Sequence, residues 1–135
     1  MTPKQQLDVL QTVSTRIAGS EKLTTLLGTW PTFHDAEILN IELKRAAKGA
    51  APEANATFQI RLLGRPNDLF VRILFTRIED LKLEDFNHQN VICEMGILDA
   101  GGSRVRVGIE TSFGLSGSFT CERVEVLSVS TLPGE

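Results

Sequence analysis

The sequence predicts an α+β domain dominated by strand, and three observations carry that expectation. Apolar residues recur at helical spacing through the first 28 positions, they alternate at period two through most of the remaining chain, and turn-forming clusters separate the alternating runs. The chain has 135 residues, 41% hydrophobic and 23% charged, which suits one folded domain over 1–135 that buries a core without disulfides or metal. The expected division is a helical arm over 1–28 and, over 29–131, a mainly antiparallel, twisted sheet of about six or seven strands.

The arm begins with Thr2-Pro3-Lys4-Gln5, which places threonine as N-cap, proline at the first helical position and glutamine where a capping box wants it. Leu7, Leu10, Val13 or Ser14, and Ile17 mark one stripe, and the helix is expected to stop near Gly19. Ser20-Glu21 then caps a shorter turn that presents Leu23, Leu26 and Leu27 and ends at Gly28.

The strand regime starts at Leu39, Ile41 and Leu43, which alternate with Asn40, Glu42 and Lys44. Lys48 to Ala56, rich in alanine, glycine and proline, reads as a loop. Phe58, Ile60 and Leu62 form the next run, and the turn Gly64 to Asp68 leads into Leu69, Val71, Ile73 and Phe75, which predicts an antiparallel hairpin. Val91, Cys93, Met95 and Ile97 form a further run, and Asp99-Ala100-Gly101-Gly102 passes the chain to Val105, Val107 and Ile109 as a second hairpin. The last stretch changes phase, with Phe119 and Cys121 odd-numbered and Val124 and Val126 even. A bulge or turn near Glu122-Arg123 is needed to bury both pairs.

A net charge of −3 and a pI near 5.4 speak against nucleic acid or an anionic membrane as partner, and suit a basic partner instead. The amino terminus has no signal-peptide core and no run reaches spanning length, so a cytoplasmic location is expected. Cys93 and Cys121 are too few and too far apart for a disulfide framework or a zinc knuckle, and Cys93 falls in the apolar phase of its run. No phosphate loop, nucleophile elbow or HExxH is present, and no cofactor is expected.

The most informative segment is Trp30-Pro31-Thr32-Phe33-His34-Asp35-Ala36-Glu37, at the junction of helix and sheet, with the only tryptophan and one of two histidines. A histidine beside a carboxylate suggests a general base or two metal ligands. Neighbouring side chains of an extended segment point to opposite faces, which works against both uses, and no ligand spacing involving His88, Cys93 or Cys121 supports a metal. The favoured expectation is that Trp30 and Phe33 plug the gap between helix and sheet while His34 or Asp35 satisfies backbone groups; contact with a partner is the alternative.

A second candidate is Glu79-Asp80-Leu81-Lys82-Leu83-Glu84-Asp85, where Leu81, Leu83 and the following Phe86 pin the segment and Glu79, Asp80, Glu84 and Asp85 project as a patch for a basic partner. Arg61, Arg72, Arg104 and Arg106 occupy the polar phases of their runs alongside Glu42, Glu94 and Glu110, and cross-strand ion pairs are the simplest expectation for them.

The string Leu27-Gly28-Thr29-Trp30-Pro31-Thr32-Phe33-His34-Asp35-Ala36-Glu37-Ile38, followed by a strand, resembles the signature of the immunity protein 50 family of bacterial polymorphic-toxin systems. Phe75-Thr76-Arg77-Ile78, and Asp85-Phe86-Asn87-His88-Gln89-Asn90-Val91-Ile92 with its polar run before an apolar strand, resemble the same family from about Leu23 onward. The resemblance implies a small strand-rich cytoplasmic protein that occludes a cognate secreted toxin and is not an enzyme, with Trp30, Pro31, Phe33, His34, Asp35 and Glu37 as its motif. Two other classes stay open: a small-ligand-binding or hydrolytic domain using His34 and Asp35 in a pocket, and a structural subunit that forms a homodimer through an uncovered apolar patch.

Overall fold

A computed structural model of the protein describes residues 17–48, 51–64 and 66–132. The helix expected from Thr2 lies outside the described residues up to position 16. From there Ile17 is buried, and the Ala18 segment lies alongside the final strand, its amide donating to the Val124 carbonyl at 3.0 Å. Helix α1 (Glu21–Leu27) ends at Gly28, whose left-handed φ of 83° lets its amide reach the Thr24 carbonyl. Ser20 stands at the cap position in a right-handed helical conformation and makes no side-chain cap bond. Only Leu23 of the helix is buried, so the expected leucine stripe is not one: Leu26 and Leu27 face solvent.

Eight strands come after it: β1 (Glu37–Lys48), β2 (Ala51–Leu62), β3 (Leu69–Thr76), β4 (Glu79–Glu84), β5 (Val91–Asp99), β6 (Val105–Phe113), β7 (Ser116–Cys121) and β8 (Arg123–Ser130). The class is thus mostly β, with eight strands and one short helix among the described residues. Of the expected loop from Lys48 to Ala56, Lys48 and Ala51 to Ala56 are instead strand, because β1 and β2 pair without a break from Asn40–Gln59 out to Lys48–Ala51. Backbone pairing there overrides weak local propensity. The acidic run from Glu79 is also a strand.

The pairings between these strands are all antiparallel, in the order β4-β7-β6-β5-β1-β2-β3-β8. Glu122 alone connects β7 to β8, which are six places apart in that order. In a flat sheet six spacings measure roughly 29 Å, whereas the two Cα steps across one residue span at most about 7.6 Å. The sheet must therefore curl until its ends meet. It folds where β1 and β5 share a single pair, Glu37 with Val91, so β1-β2-β3-β8 faces β4-β7-β6-β5. Phe58 and Phe75 from one half meet Phe119 from the other, with ring centroids 6.0 and 5.0 Å from Phe119. Val71, Ile73, Met95, Ile97, Val107 and Val126 complete the buried layer around them.

Two bulges revise the expected phases. Leu39 has no partner between the Ile38–Ile60 and Asn40–Gln59 pairs, so Ile38 is buried while Leu39 and Leu43 are exposed and Ile41 half-buried. Cys93 similarly drops out of the β5–β6 register, leaving Ile92, Met95 and Ile97 as the buried residues and Cys93 only partly covered. Cys121 is the enclosed thiol, and burial pushes its pKa from about 9.0 to about 11 against smaller lowering effects of Arg104 and an Arg123 backbone hydrogen bond. A raised pKa favours the neutral thiol in the fold, so this stabilisation is complete below about 9 and is lost as the pH rises through about 11. Alkylation at mildly alkaline pH should leave Cys121 unmodified until the protein unfolds, and rapid labelling of Cys121 in the native state would show that β7 opens.

Candidate functional site

The Trp30 to Glu37 segment leaves α1 and runs beside the start of β5. Asp35 N–H donates to the Ile92 carbonyl (2.9 Å), Ile92 N–H to the Ala36 carbonyl (2.8 Å), and Met95 N–H to the Thr32 carbonyl (3.0 Å). Between these bonds the chain turns sharply, with left-handed φ of 66° at Phe33 and 64° at Asp35. A bulky residue in that region carries strain of about 1–2 kcal/mol, which the burial of its ring offsets. Phe33 is 1% exposed and Trp30, half-buried, meets it edge-on with centroids 5.6 Å apart.

His34 and Asp35 do not point to opposite faces, because the turn at Asp35 replaces the extended backbone that rule assumes. His34 Nε2 lies 3.5 Å from Asp35 Oδ2, and Nδ1–H donates to the carbonyl of the bulged Cys93 at 2.8 Å. Both side chains are more than half exposed, so the pair is solvated and becomes ionic only when the imidazole is protonated. The ring is held against β5 by the Cys93 carbonyl while most of its surface stays open to solvent. Glu37 accepts from Arg61 Nη2 at 3.3 Å, and Arg61 Nε also approaches Asp68 at 3.8 Å, which joins the motif to the β2–β3 turn.

The strand register places several loops together. Phe113, Val91, Glu37, Arg61, Phe70 and Ser130 follow one another from partner to partner across six strands. The motif, the turn after β2, the loop after β4 and the corner after β6 therefore share one end of the sheet. A groove of about 510 Å³ lies there, with Leu26, Leu27, Pro31, His34, Leu63 and Leu69 among its walls. His34 lines it and Asp35 does not. Leu26 (60% exposed), Leu63 (62%) and Leu132 (61%) stand open at this end, as do Phe86 and Phe113.

Asn90 was not singled out by the sequence, and it is the one buried polar side chain among the described residues. Its Oδ1 accepts from Asn87 N–H (2.9 Å) and Leu115 N–H (3.0 Å), and its Nδ2 donates to the carbonyls of Asn87 (3.0 Å) and Ile38 (3.4 Å). One amide thus fastens β1, the loop carrying Phe86 and His88, and the corner carrying Phe113. His88 packs edge-on to Phe113 with centroids 5.5 Å apart. Gly114 permits the close approach: its φ is 87°, and a Cβ there would stand 2.6 Å from Asn90 Oδ1. In sequence Asn90 looks like its solvated neighbours Asn87 and Gln89, and only its place immediately before β5 sets it apart.

Of the acidic run, Leu83 alone packs on the core; Leu81 and Phe86 are exposed, contrary to the expected pinning. β4 is an outer strand paired only with β7, and it is irregular between Glu79 and Lys82 with left-handed φ at Asp80. Charge and irregularity on such an edge discourage pairing with a second chain, which accounts for part of the run. Glu79 is also engaged, 3.1 Å from Arg104 Nη1. Of the expected cross-strand ion pairs, Arg61 forms one with Glu37; Arg104, in the turn before β6, meets Glu79 of β4, Glu42 meets Lys44 of its own strand, and Glu94 and Glu110 stand directly opposite each other.

Among the described residues no group of three or more His, Cys, Asp or Glu side chains is placed to hold a metal, and no helix is long and apolar enough to cross a membrane. The fold and its surfaces define a small, curled antiparallel-sheet domain that exposes apolar and acidic side chains on its strands and corners. The chain belongs to the immunity protein 50 family, whose model matches residues 19–132. Among curated proteins and solved structures, none matches it.

Proposed function

We propose that this protein is an immunity protein that binds a cognate secreted toxin of a bacterial polymorphic-toxin system and neutralises it by occlusion, acting as one domain in the cytoplasm. The observation that carries this reading is membership of the immunity protein 50 family over nearly the whole described chain. Support comes from the surface: Phe86 and Phe113 are aromatic anchors held by the Asn90 amide, and Glu84 and Asp85 lie beside them. Aromatic groups on an ordered backbone contribute binding energy with little ordering entropy, while carboxylates steer a basic partner. Asp80 belongs to the same acidic run, whereas Glu79 serves Arg104. The motif residues Trp30, Pro31, Phe33, His34, Asp35 and Glu37 act first as scaffold for this end of the molecule.

Co-expression with the toxin encoded beside this gene tests the reading. Growth is expected to be restored, and the purified proteins are expected to form a stable complex. A toxin that kills cells despite abundant folded protein, with no complex recovered, would remove the immunity reading.

A further inference from the structure

The strand carboxylates differ in whether a cation lies beside them, and on β4 Glu79 has Arg104 at 3.1 Å. On β1, β2 and β8 each acid has a cation beside it: Glu37 with Arg61 (3.3 Å), Glu42 with Lys44 (3.2 Å), Glu53 with Arg77 (3.8 Å) and Glu125 with Arg123 (3.7 Å). On the outer face of the other half, Glu84, Glu94 and Glu110 have no such partner among the described residues. They form a row, since Glu84 pairs with Ser116, Glu94 pairs with Glu110, and Ser116 and Glu110 sit one step beyond the Ile109–Gly117 pair. Like charges directly opposite on neighbouring strands destabilise a sheet, so the free protein bears an unrelieved repulsion at Glu94 and Glu110.

The next row is Lys82, Ser118, Gly108 and Gly96, by the same register. Two glycines facing each other within paired strands leave no side chains to cover the backbone, and glycine at such a place admits the close approach of another group. The result is an open trough of about 260 Å³, with Gly96 and Gly108 as floor, Glu94 and Glu110 at one end, and Leu98 and Arg106 at the other. A Cβ built on Gly108 meets nothing within 4 Å, so the space is not required by packing among the described residues.

We propose that this trough is the specific contact for the toxin: a lysine or arginine side chain of the toxin lies along the glycine floor and places its cation between Glu94 and Glu110. The inference rests on the toxin-binding reading above and names the surface and its chemistry. The aliphatic stem of such a side chain would lie over the exposed backbone beside Leu98, and the head group would relieve the repulsion, so that charge complementarity is gained only in the complex. Glu84 and the Phe86–Phe113 corner extend the same face.

The test measures affinity and association rate of the full chain and its variants for the toxin domain encoded beside this gene, at low and high salt, together with thermal midpoints. Wild type is expected to bind. Gly108→Val fills the trough and should lower affinity by about tenfold or more while the thermal midpoint holds or rises, because valine favours strand. The Glu94→Gln/Glu110→Gln double variant should slow association by about tenfold and flatten its salt dependence, yet raise the midpoint by about 1–3 °C as repulsion is lost. Glu42→Gln on β1 should leave binding unchanged. Wild-type binding by both trough variants would overturn the proposal while leaving the immunity reading intact. So would a midpoint lowered by Gly108→Val with toxin affinity unchanged, which would make the occupant part of this chain. Failure of the wild type itself to bind removes the immunity reading, and this inference with it.

Discussion

Phe33→Ala is expected to lower the stability of the protein by about 3–5 kcal/mol, measured as a shift in the denaturation midpoint at constant slope. The ring is 1% exposed, so its removal loses apolar burial and leaves a cavity beneath the junction of α1 and the sheet. The left-handed φ of 66° adds a signature that an ordinary core residue lacks. Glycine normally destabilises more than alanine, but here Phe33→Gly should be no worse than Phe33→Ala and better by about 1 kcal/mol, because glycine alone adopts that backbone without strain. Trp30→Ala should cost less, since the indole is only half-buried. A glycine variant clearly less stable than the alanine variant would mean that the turn at Phe33 is not held in that conformation.

Asn90→Leu should cost about 2–4 kcal/mol, through loss of partner for the buried Leu115 amide and the Ile38 carbonyl. Leucine has the same number of side-chain heavy atoms but is bulkier, so the cost combines the lost hydrogen bonds with some overpacking. Hydrogen exchange should quicken at Leu115 and Asn87, which donate to Oδ1, more than at the distant β2–β3 ladder. Asn90→Asp separates the two halves of the amide. A carboxylate keeps both acceptor bonds but turns an oxygen toward the Ile38 and Asn87 carbonyls, so its folded-state pKa should be raised. That variant should then be most stable below the unfolded carboxyl value and lose stability as the pH rises through the folded one. Uniform exchange changes across the sheet, or an Asn90→Leu variant as stable as wild type, would contradict the anchoring role.

The alternating runs of β2, β3 and β6 were legible because one face of each is buried for its whole length: Phe58, Ile60 and Leu62, then Val71, Ile73 and Phe75, then Val105, Val107 and Ile109. The phase change after Cys121 was legible for the same reason, and it falls at Glu122 between β7 and β8. Leu39 and Cys93 misled the reading because a bulge shifts the face by one residue without leaving a mark in local composition. The strand character of Lys48 and of Ala51 to Ala56 was hidden by residues that favour loops in isolation.

The sequence by itself determined a strand-dominated antiparallel domain, the two central hairpins, the stop of α1 at Gly28 and the family motif at the helix–sheet junction, because periodicity and turn chemistry are local properties. Tertiary structure alone decided that the sheet curls, that Asn90 is buried and that His34 and Asp35 meet in solvent. It also decided that Glu94 and Glu110 oppose each other over a glycine floor. Each of these depends on which strands become neighbours, and strand pairing joins residues far apart in the chain, so the charge of a glutamate is written in the sequence but the charge that faces it is not.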